Sequence, residues 1–237
     1  MVYRVNLEEL EGQWIAHVVD LPGCFAVGRT FSAALAQTST AIANYLAWLH
    51  THGEAIDPHE VTPELGEVHR AWSTPGGGEA NAFFATDRVP LTMGEITRLS
   101  QLLEWTRADL LAVVQEVKPA ELTQAVENQW AIRDILNHLG RGERWYLDRL
   151  DLAGDSPPPE VMEQLRVVRA RLQRLMPSFA NVDRVVVKDL ELWSPRKLLR
   201  RALWHERDHT AHIRQFLRRL RPATRPLINF PASEVTP

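Results

Sequence analysis

The stretch "LWHERDHTAHIRQ", residues 203–215, decides the fold of the rear part of the chain. At 100° per residue it forms one helix, predicted over 195–220, whose apolar residues fall on the same face as His209. His205 precedes His209 by one turn, which brings the two imidazoles to about 5–6 Å at Cβ. An i, i+4 histidine pair can hold one metal ion. The stretch therefore predicts an amphipathic helix with a metal-binding pair on its inner face.

A metal ion needs at least a third ligand from another element. The best candidate is His138 in "WAIRDILNHLGRGERWYL", at the edge of the apolar face of an earlier predicted helix. Three neutral imidazoles with open coordination positions are typical of a catalytic site rather than a structural one. The alternative is that these histidines are ordinary polar residues at helix edges. The inward pair together with a third histidine favours the metal site.

Further residues of interest lie near the predicted triad. Glu206 projects inward at about 60° from His209, where a carboxylate requires a partner. We predict that it orients a ligand histidine or relays a proton, which makes it a candidate catalytic residue. His212 lies near the rim of the same helix face, and Trp145 flanks His138 on its helix.

The rear part of the chain contains four helical patterns, separated by Pro, Gly, Asn and Asp signals. They cover about 92–117, 131–152, 159–178 and 195–220, and a brief extended run, "RVVVKDL", precedes the last of them. This arrangement predicts an up-and-down four-helix bundle.

The front part alternates in the manner of β-strands. "VYRVNLE" and "GQWIAHVVDL" are joined at Glu11 and Gly12 as a hairpin, with Trp14 and Ile15 on opposite faces, and "FAVGRT" forms a third strand. A helix follows, and "EVHRAWST" and "ANAFFATDRV" are candidates for further strands. The loop "STPGGGEAN" precedes a boundary near residue 90. The fold class is therefore α+β, with a β-β-β-α domain over 1–90 and the bundle, with a C-terminal tail, over 91–237.

Charge is distributed unevenly along the chain. The net formal charge is −3, but residues 1–95 hold 4 Arg and no Lys against 12 acidic residues, a charge of −8, which leaves +5 for 96–237. An acidic front part repels phosphate backbones, so no specific nucleic-acid binding is expected. No apolar run approaches the roughly 20 residues of a membrane span, and the N-terminus lacks the order of a signal peptide. We therefore expect no membrane association and a cytoplasmic location.

The single cysteine, Cys24, excludes an intramolecular disulfide and a cysteine-built zinc site, and it is predicted to be a packed residue rather than a reactive thiol. Trp204 lies on the arginine-rich side of the last helix, away from the predicted bundle core. It is predicted to anchor a contact with the front domain or with a second subunit. Arg200, Arg207 and the other arginines of that side are predicted to form a solvated helix face.

These motifs resemble those of known families. "W-x-x-R-D-I-L-N-H" and "LWHERDHTAHIRQ" resemble signatures of the DinB/YfiT-like superfamily of metal-binding four-helix bundles. The resemblance implies that His138, His205 and His209 bind a divalent ion such as zinc or nickel. It also implies a homodimer and reactions that use low-molecular-weight thiols as cosubstrates.

The front part resembles the HicB-like fold, through the strand, "DLPGC", G-x-T and helix pattern of "GQWIAHVVDLPGCFAVGRTFSAALAQTSTAIANYL". That resemblance implies a possible protein partner for residues 1–90. Two functions follow. The first is a metal-dependent enzyme that transfers a small thiol to an electrophilic small-molecule substrate. The second is a non-enzymatic, antitoxin-like interaction module with a metal-stabilised scaffold.

Overall fold

The computed structural model describes residues 1–57, 59–74, 78–124 and 130–221. The front part consists of β1 (Val2–Leu10), β2 (Gln13–Val18), β3 (Phe25–Gly28), α1 (Phe31–Thr51) and β4 (Thr62–His69). The rear part consists of α2 (Met93–Gln115), the short α3 (Pro119–Leu122), α4 (Ile132–Asp148), α5 (Val161–Leu175), the hairpin β5 (Val186–Lys188) and β6 (Glu191–Trp193), and α6 (Pro195–Leu220). The predicted α+β class, with a sheet first and helices after it, is confirmed. The predicted tail after residue 221 and part of the glycine-rich loop lie outside the described residues.

The front sheet has the order β3-β2-β1-β4, with β4 parallel to β1 and the other pairs antiparallel. Glu11 and Gly12 form the turn between β1 and β2, both with positive φ, as a two-residue hairpin requires. The predicted β-β-β-α order is therefore present. The sequence "ANAFFATDRV", in contrast, adds no strand. It contains a 3₁₀ turn at Ala85–Arg88, where the backbone N–H of Phe84 donates to the Asp87 carboxylate.

Both faces of the central strands β1 and β2 are buried, whereas the edge strand β4 is mostly exposed. Tyr3, Val5 and Leu7 alternate toward the core that α1 closes, whereas Glu8 and Leu10 face the opposite way. On that opposite face lies α6, whose Trp204 packs with Leu10, Ile15, Phe25 and Val27. The sheet is therefore a layer between α1 and the last helix of the bundle.

Helix directions correct the predicted up-and-down topology. Gly140 lies beside Gln164, and Glu143 pairs with Arg169, so α4 and α5 run in the same direction. Glu95 contacts Arg196 and Thr106 contacts Glu206, so α2 and α6 are also parallel to each other. The parallel direction of α4 and α5 is possible because the connection between them, residues 149–160, is long enough. It can reach about 40 Å when extended, whereas a helix the length of α5 spans only about 22 Å. The connection returns the chain to the other end of the bundle.

The contact between the sheet and α6 contains a buried ion cluster. Glu8 is fully buried in β1, and its carboxylate accepts from the Arg201 guanidinium at 3.1 Å and contacts Nε2 of His17 at 2.9 Å. Although burial opposes ionisation, Arg201 and His17 hold the pKa of Glu8 well below its usual value. The cluster therefore joins residues from both predicted domains, and the boundary near residue 90 stays a prediction.

Arg200 and Arg207, beside Trp204, are not part of the solvated face that we predicted, whereas Arg214 and Arg218 of the same side are exposed as predicted. Trp204 is buried against the sheet of the same chain, which agrees with the predicted contact to the front domain. Arg200 pairs with Asp87 at 2.7 Å, and the Arg207 guanidinium lies 4.1 Å from the ring centre of Trp48. The helical wheel correctly predicted that these side chains point away from the bundle core. It could not predict that the front sheet and α1 cover that side of the helix.

Replacing Glu8 tests the sheet–bundle contact. Glu8→Gln leaves Arg201 buried without its counter-charge, and we expect it to lower the free energy of unfolding at pH 7 by about 3–5 kcal/mol. Since the folded-state pKa of Glu8 lies well below its unfolded value, this stabilisation is fully present at neutral pH, begins to fall below about pH 4, and is lost completely only below the folded-state pKa. Urea unfolding of the wild type and of Glu8→Gln at pH 7 and at pH 3 measures the difference in the free energy of unfolding at each pH.

The exposed Glu64→Gln on β4 is the matched control and should change stability by less than about 0.5 kcal/mol. An equal loss at both pH values, or no loss in Glu8→Gln, would contradict the role of the ionised carboxylate.

Candidate metal centre

The structure brings the three predicted histidines together. His138 projects from α4, while His205 and His209 project from successive turns of α6. Their Nε2 atoms converge: the His205–His138 distance is 2.8 Å and the His209–His205 distance is 3.1 Å. Among the described residues, this is the one group of three or more His, Cys, Asp or Glu side chains whose ligand atoms meet closely enough for one ion.

Gly142 allows α4 to approach the histidine pair. A Cβ atom at this position would lie 2.6 Å from Cε1 of His205, closer than real carbon atoms approach. Because α4 and α6 are antiparallel here, His138 meets His209 while Tyr146 packs on the His205 ring at 5.8 Å. The glycine is therefore the residue that lets two helices contribute ligands to one point.

The environment keeps all three imidazoles neutral near pH 7. Burial lowers the pKa of His138. Burial, with the proximity of His209 and His138, lowers the pKa of His205 well below its usual value. Burial and the neighbouring His138 and His212 lower the pKa of His209 to about 3. Neutral imidazole is the form that binds a metal ion.

The convergence of the Nε2 atoms fits a cation better than hydrogen bonding alone. Both short contacts meet at Nε2 of His205, and this atom of a neutral ring offers either one proton or one lone pair, so without an ion it cannot form a full hydrogen bond with both neighbours. One cation accepts all three lone pairs. Imidazole nitrogens at about 2.0–2.1 Å from a tetrahedral ion are separated by about 3.3 Å, which requires only a small opening of the cluster. The three histidines therefore fit a divalent ion.

A cleft of about 1000 Å³ opens beside the three histidines. Its bundle wall includes Trp145, Tyr146 and Arg141, and its opposite wall comes from the front sheet, through Leu10 and Ile15. A cleft of this size accommodates a small-molecule substrate. The front sheet thus forms part of the candidate site. Sequence patterns alone could not predict this, because they do not show which residues of the front part contact the bundle.

Glu206 does not join the histidines, in contrast to the predicted orienting or proton-relay role. Its carboxylate is buried and accepts hydrogen bonds from Thr106, Arg107 and Arg169, at 2.6–2.9 Å. Although burial opposes ionisation, Arg169 and Arg107 lower the pKa of Glu206. Glu143 of α4 completes this network.

The remaining site residues lie at different distances from the three histidines. The ring of His212 is 6.1 Å from that of His209 between centres, and this residue is outside the convergent group. Trp145 lines the cleft and packs on Trp193. Asp208, which the sequence analysis missed, is the carboxyl group of α6 that lines the cleft. Burial raises its pKa to about 6.

Cys24 lies apart from this cleft, as expected for a packed residue. Its side chain is buried, and burial raises the pKa of its thiol to about 12 despite the nearby Arg207. The thiol is therefore protonated at neutral pH and offers no nucleophile at the candidate metal centre.

Residues 102–213 match the family model of the DinB superfamily. This span contains all three histidines, and it confirms the predicted DinB-like character of the bundle. Among solved structures, the chain is similar to YfiT from Bacillus subtilis, described as a probable metal-dependent hydrolase with an unusual four-helix bundle topology. The identity is 18% and the TM-score 0.42, over 62% of this chain and 97% of that one. No curated protein matches the chain, and the HicB-like identity of the front part stays a prediction.

Metal content tests the candidate centre directly. Protein purified without a metal-affinity tag should contain about one divalent ion per chain. His209→Ala should lose most of it, because two imidazoles bind an ion far more weakly than three. Elemental analysis makes the measurement. His212→Ala is the matched control and should retain the ion, and equal metal content in the two variants would contradict the assignment.

Gly142→Ala tests the helix approach without removing a ligand. The added methyl group displaces the His205 ring, so we expect the metal affinity to fall by about 10- to 100-fold. Competition with a chromogenic chelator measures the affinity, and circular dichroism checks that the helices persist. Unchanged affinity in a folded variant would show that the close approach is not required.

Proposed function

We propose that the protein is a divalent-metal-dependent enzyme that acts on a small molecule in the cleft beside His138, His205 and His209. The observation that carries this proposal is the convergence of three neutral imidazoles at the wall of a cleft of about 1000 Å³. A structural ion is usually enclosed by protein ligands on all sides, whereas a catalytic ion retains an open position. The match to the DinB superfamily supports a metal-binding role for the same residues.

No cysteine lines the cleft, and we propose that the nucleophile of the reaction is a small molecule from outside the chain. A divalent ion held by three imidazoles lowers the pKa of a coordinated water or thiol. The chain itself holds the ligands in place, binds the substrate and excludes bulk water from one side of the cleft. Zinc and nickel both suit three imidazoles, and either is compatible with the proposal.

For the reaction we propose transfer of a low-molecular-weight thiol to an electrophile: a bond forms from the thiol sulfur to the electrophilic carbon, the bond from that carbon to its leaving group breaks, and the thiol proton passes to the leaving group. Arg141 and Arg144 on α4 line the cleft and offer positive charge to an anionic group of such a thiol. Trp145 and the apolar residues of the front sheet offer surface for the apolar part of the electrophile. Asp208 replaces Glu206 as the candidate for proton transfer, because it is the α6 carboxyl group that lines the cleft.

The competing function is a non-enzymatic binding module, in which the front part holds a protein partner and the metal stabilises the bundle. A homodimer and a cytoplasmic location also stay predictions. Trp204 does not support the dimer, since the sheet of the same chain covers it. No helix among the described residues is long and apolar enough to cross a membrane.

Turnover separates the enzyme from the binding module. Metal-loaded protein is incubated with small thiols and model electrophiles, and conjugates are followed by mass spectrometry, with ester and amide hydrolysis assayed in parallel. We expect conjugation that a chelator abolishes and that His205→Ala reduces by at least about a hundredfold. Cys24→Ala is the matched control and should retain full activity, because its thiol lies outside the cleft.

If the assay shows metal-dependent hydrolysis without conjugation, the nucleophile is water rather than a thiol, and the proposed catalytic metal centre is retained. Equal rates in the wild type and His205→Ala for every substrate would contradict a catalytic metal and favour the binding module.

A further inference from the structure

A smaller cavity, of about 250 Å³, lies where α1, α2, β3 and α6 meet. Its lining residues include Tyr45 and Trp48 of α1, Asp109 of α2, and Arg207 and Arg214 of α6. None of the three histidines of the candidate metal centre lines it, so it is separate from the cleft beside them. Because drug-sized ligands occupy about 300–1,000 Å³, a cavity of this volume suits a molecule of only a few heavy atoms.

Arg207 differs from the other buried arginines of α6. Arg200 and Arg201 pair with carboxylates, at 2.7 and 3.1 Å. In the part of the chain that the structure describes, no oxygen atom accepts a hydrogen bond from Arg207, and burial lowers the pKa of its guanidinium. An arginine stays charged at neutral pH, and a largely buried charge without a hydrogen-bonded counter-ion is unfavourable. Arg207 is therefore a cation that lacks an acceptor.

The charged end of Arg207 lies among the residues that line the cavity. Its Cζ atom is 4.1 Å from the ring centre of Trp48 and 4.8 Å from that of Tyr45, and both rings line the cavity. The Cδ atom lies elsewhere, 3.3 Å from where a Cβ of Gly23 would be, and Gly23 does not line this cavity. The Nε atom is closed to solvent, but Nη1 and Nη2 are not. These two terminal nitrogens are the donors that a ligand can reach.

Asp109 lines the same cavity but does not pair with Arg207. Its Oδ2 atom accepts from the indole N–H of Trp48 at 2.6 Å, and its Oδ1 atom lies 3.7 Å from Nε2 of His52. The carboxylate is thus held by residues of α1. It attracts the guanidinium only through space, without a hydrogen bond.

A second cation adds to the positive charge of the cavity. Arg214 lies seven residues after Arg207, on the same side of α6, and the repulsion between the two guanidinium groups helps to lower the pKa of Arg207. The charged residues that line the cavity are these two arginines and Asp109, so two positive charges against one negative charge leave a net charge of +1. One negative charge from a ligand would balance it.

The shape and charge of the site indicate the class of ligand. The two terminal N–H groups of a guanidinium match the two oxygens of a carboxylate. The negative charge of Asp109 disfavours a dianion such as phosphate. Phe25, Ala41 and Ala211 also line the cavity and offer contact to a short apolar group.

We propose that this cavity binds the carboxylate of a small monoanionic organic acid. The carboxylate accepts from Nη1 and Nη2 of Arg207, Arg214 adds a second positive charge, and the short apolar part lies against Ala41 and Trp48. Such a ligand contacts α1, α2 and α6 together, so its binding stabilises their junction. The site does not depend on the proposed metal centre.

The experiment uses two probes of nearly equal shape, butyrate and neutral butyramide, titrated into the full chain at constant ionic strength. NMR chemical shifts give the affinity and the place of binding, and the rise in Tm gives a second measure. Arg207→Gln removes the proposed donor. Ala211→Leu fills the cavity without changing its charges, which keeps the test valid if Arg207→Gln does not fold. The exposed Arg218→Gln is the matched control, because Arg218 does not line the cavity.

We expect saturable binding of butyrate, at least about tenfold tighter than that of butyramide, because hydrogen bonds to a charged group contribute about 1.5–3 kcal/mol. The shifts should concentrate in residues 41–48 and 207–214. Arg207→Gln and Ala211→Leu should each weaken binding at least about tenfold, whereas Arg218→Gln should retain it. His209→Ala should also retain it, which separates this site from a carboxylate bound to a metal ion.

Four results would overturn the proposal. The first is equal affinity for butyrate and butyramide, and the second is unchanged binding in folded Arg207→Gln. The third is tighter binding of phosphate or of n-butylammonium than of butyrate. The fourth is loss of butyrate binding in His209→Ala, which would assign the carboxylate to the metal centre instead.

Discussion

Helix α6 is buried between the bundle and the front sheet, and four of its charged residues meet opposite charges there. Lys197 pairs with Glu191, Arg200 with Asp87, Arg201 with Glu8, and Glu206 with Arg107 and Arg169. Removing one member of such a pair leaves a buried charge without compensation. The pairs therefore constrain how α6 lies against both of its neighbours, and the rest of the structure depends on that placement.

The position of α6 determines both cavities. On one side, its histidine pair meets His138 across the close approach at Gly142, and the sheet closes the far wall of the cleft. On another side, Arg207 lines the smaller cavity, together with α1, α2 and β3. A change that shifted the sheet relative to α6 would alter both cavities at once.

Much of this arrangement follows from local sequence patterns. The i, i+4 spacing of His205 and His209, the apolar face of α6 and the Glu11–Gly12 turn are local features, and periodicity and turn chemistry are enough to predict them. The inward position of His138 follows from the same helical spacing. The four helices are close to their predicted bounds for the same reason.

The features that the sequence could not predict depend on contacts between distant residues. The helix wheel placed Glu206 inward, but only the structure shows that Arg107 and Arg169 of other helices hold it away from the histidines. The arginine-rich face of α6 resembled a solvated surface because nothing local indicates that a sheet covers it. The parallel pair α4 and α5 likewise depends on the path of a connection whose residues carry no periodic pattern.

X-ray absorption spectroscopy at the edge of the metal that the purified protein contains tests the central claim most directly. Coordination by His138, His205 and His209 predicts three imidazole nitrogens at about 2.0–2.1 Å, with the outer-ring scattering of imidazole and at least one further light-atom ligand. A first shell of carboxylate oxygens without imidazole scattering, or a spectrum unchanged in His205→Ala, would contradict a metal centre built from these three histidines.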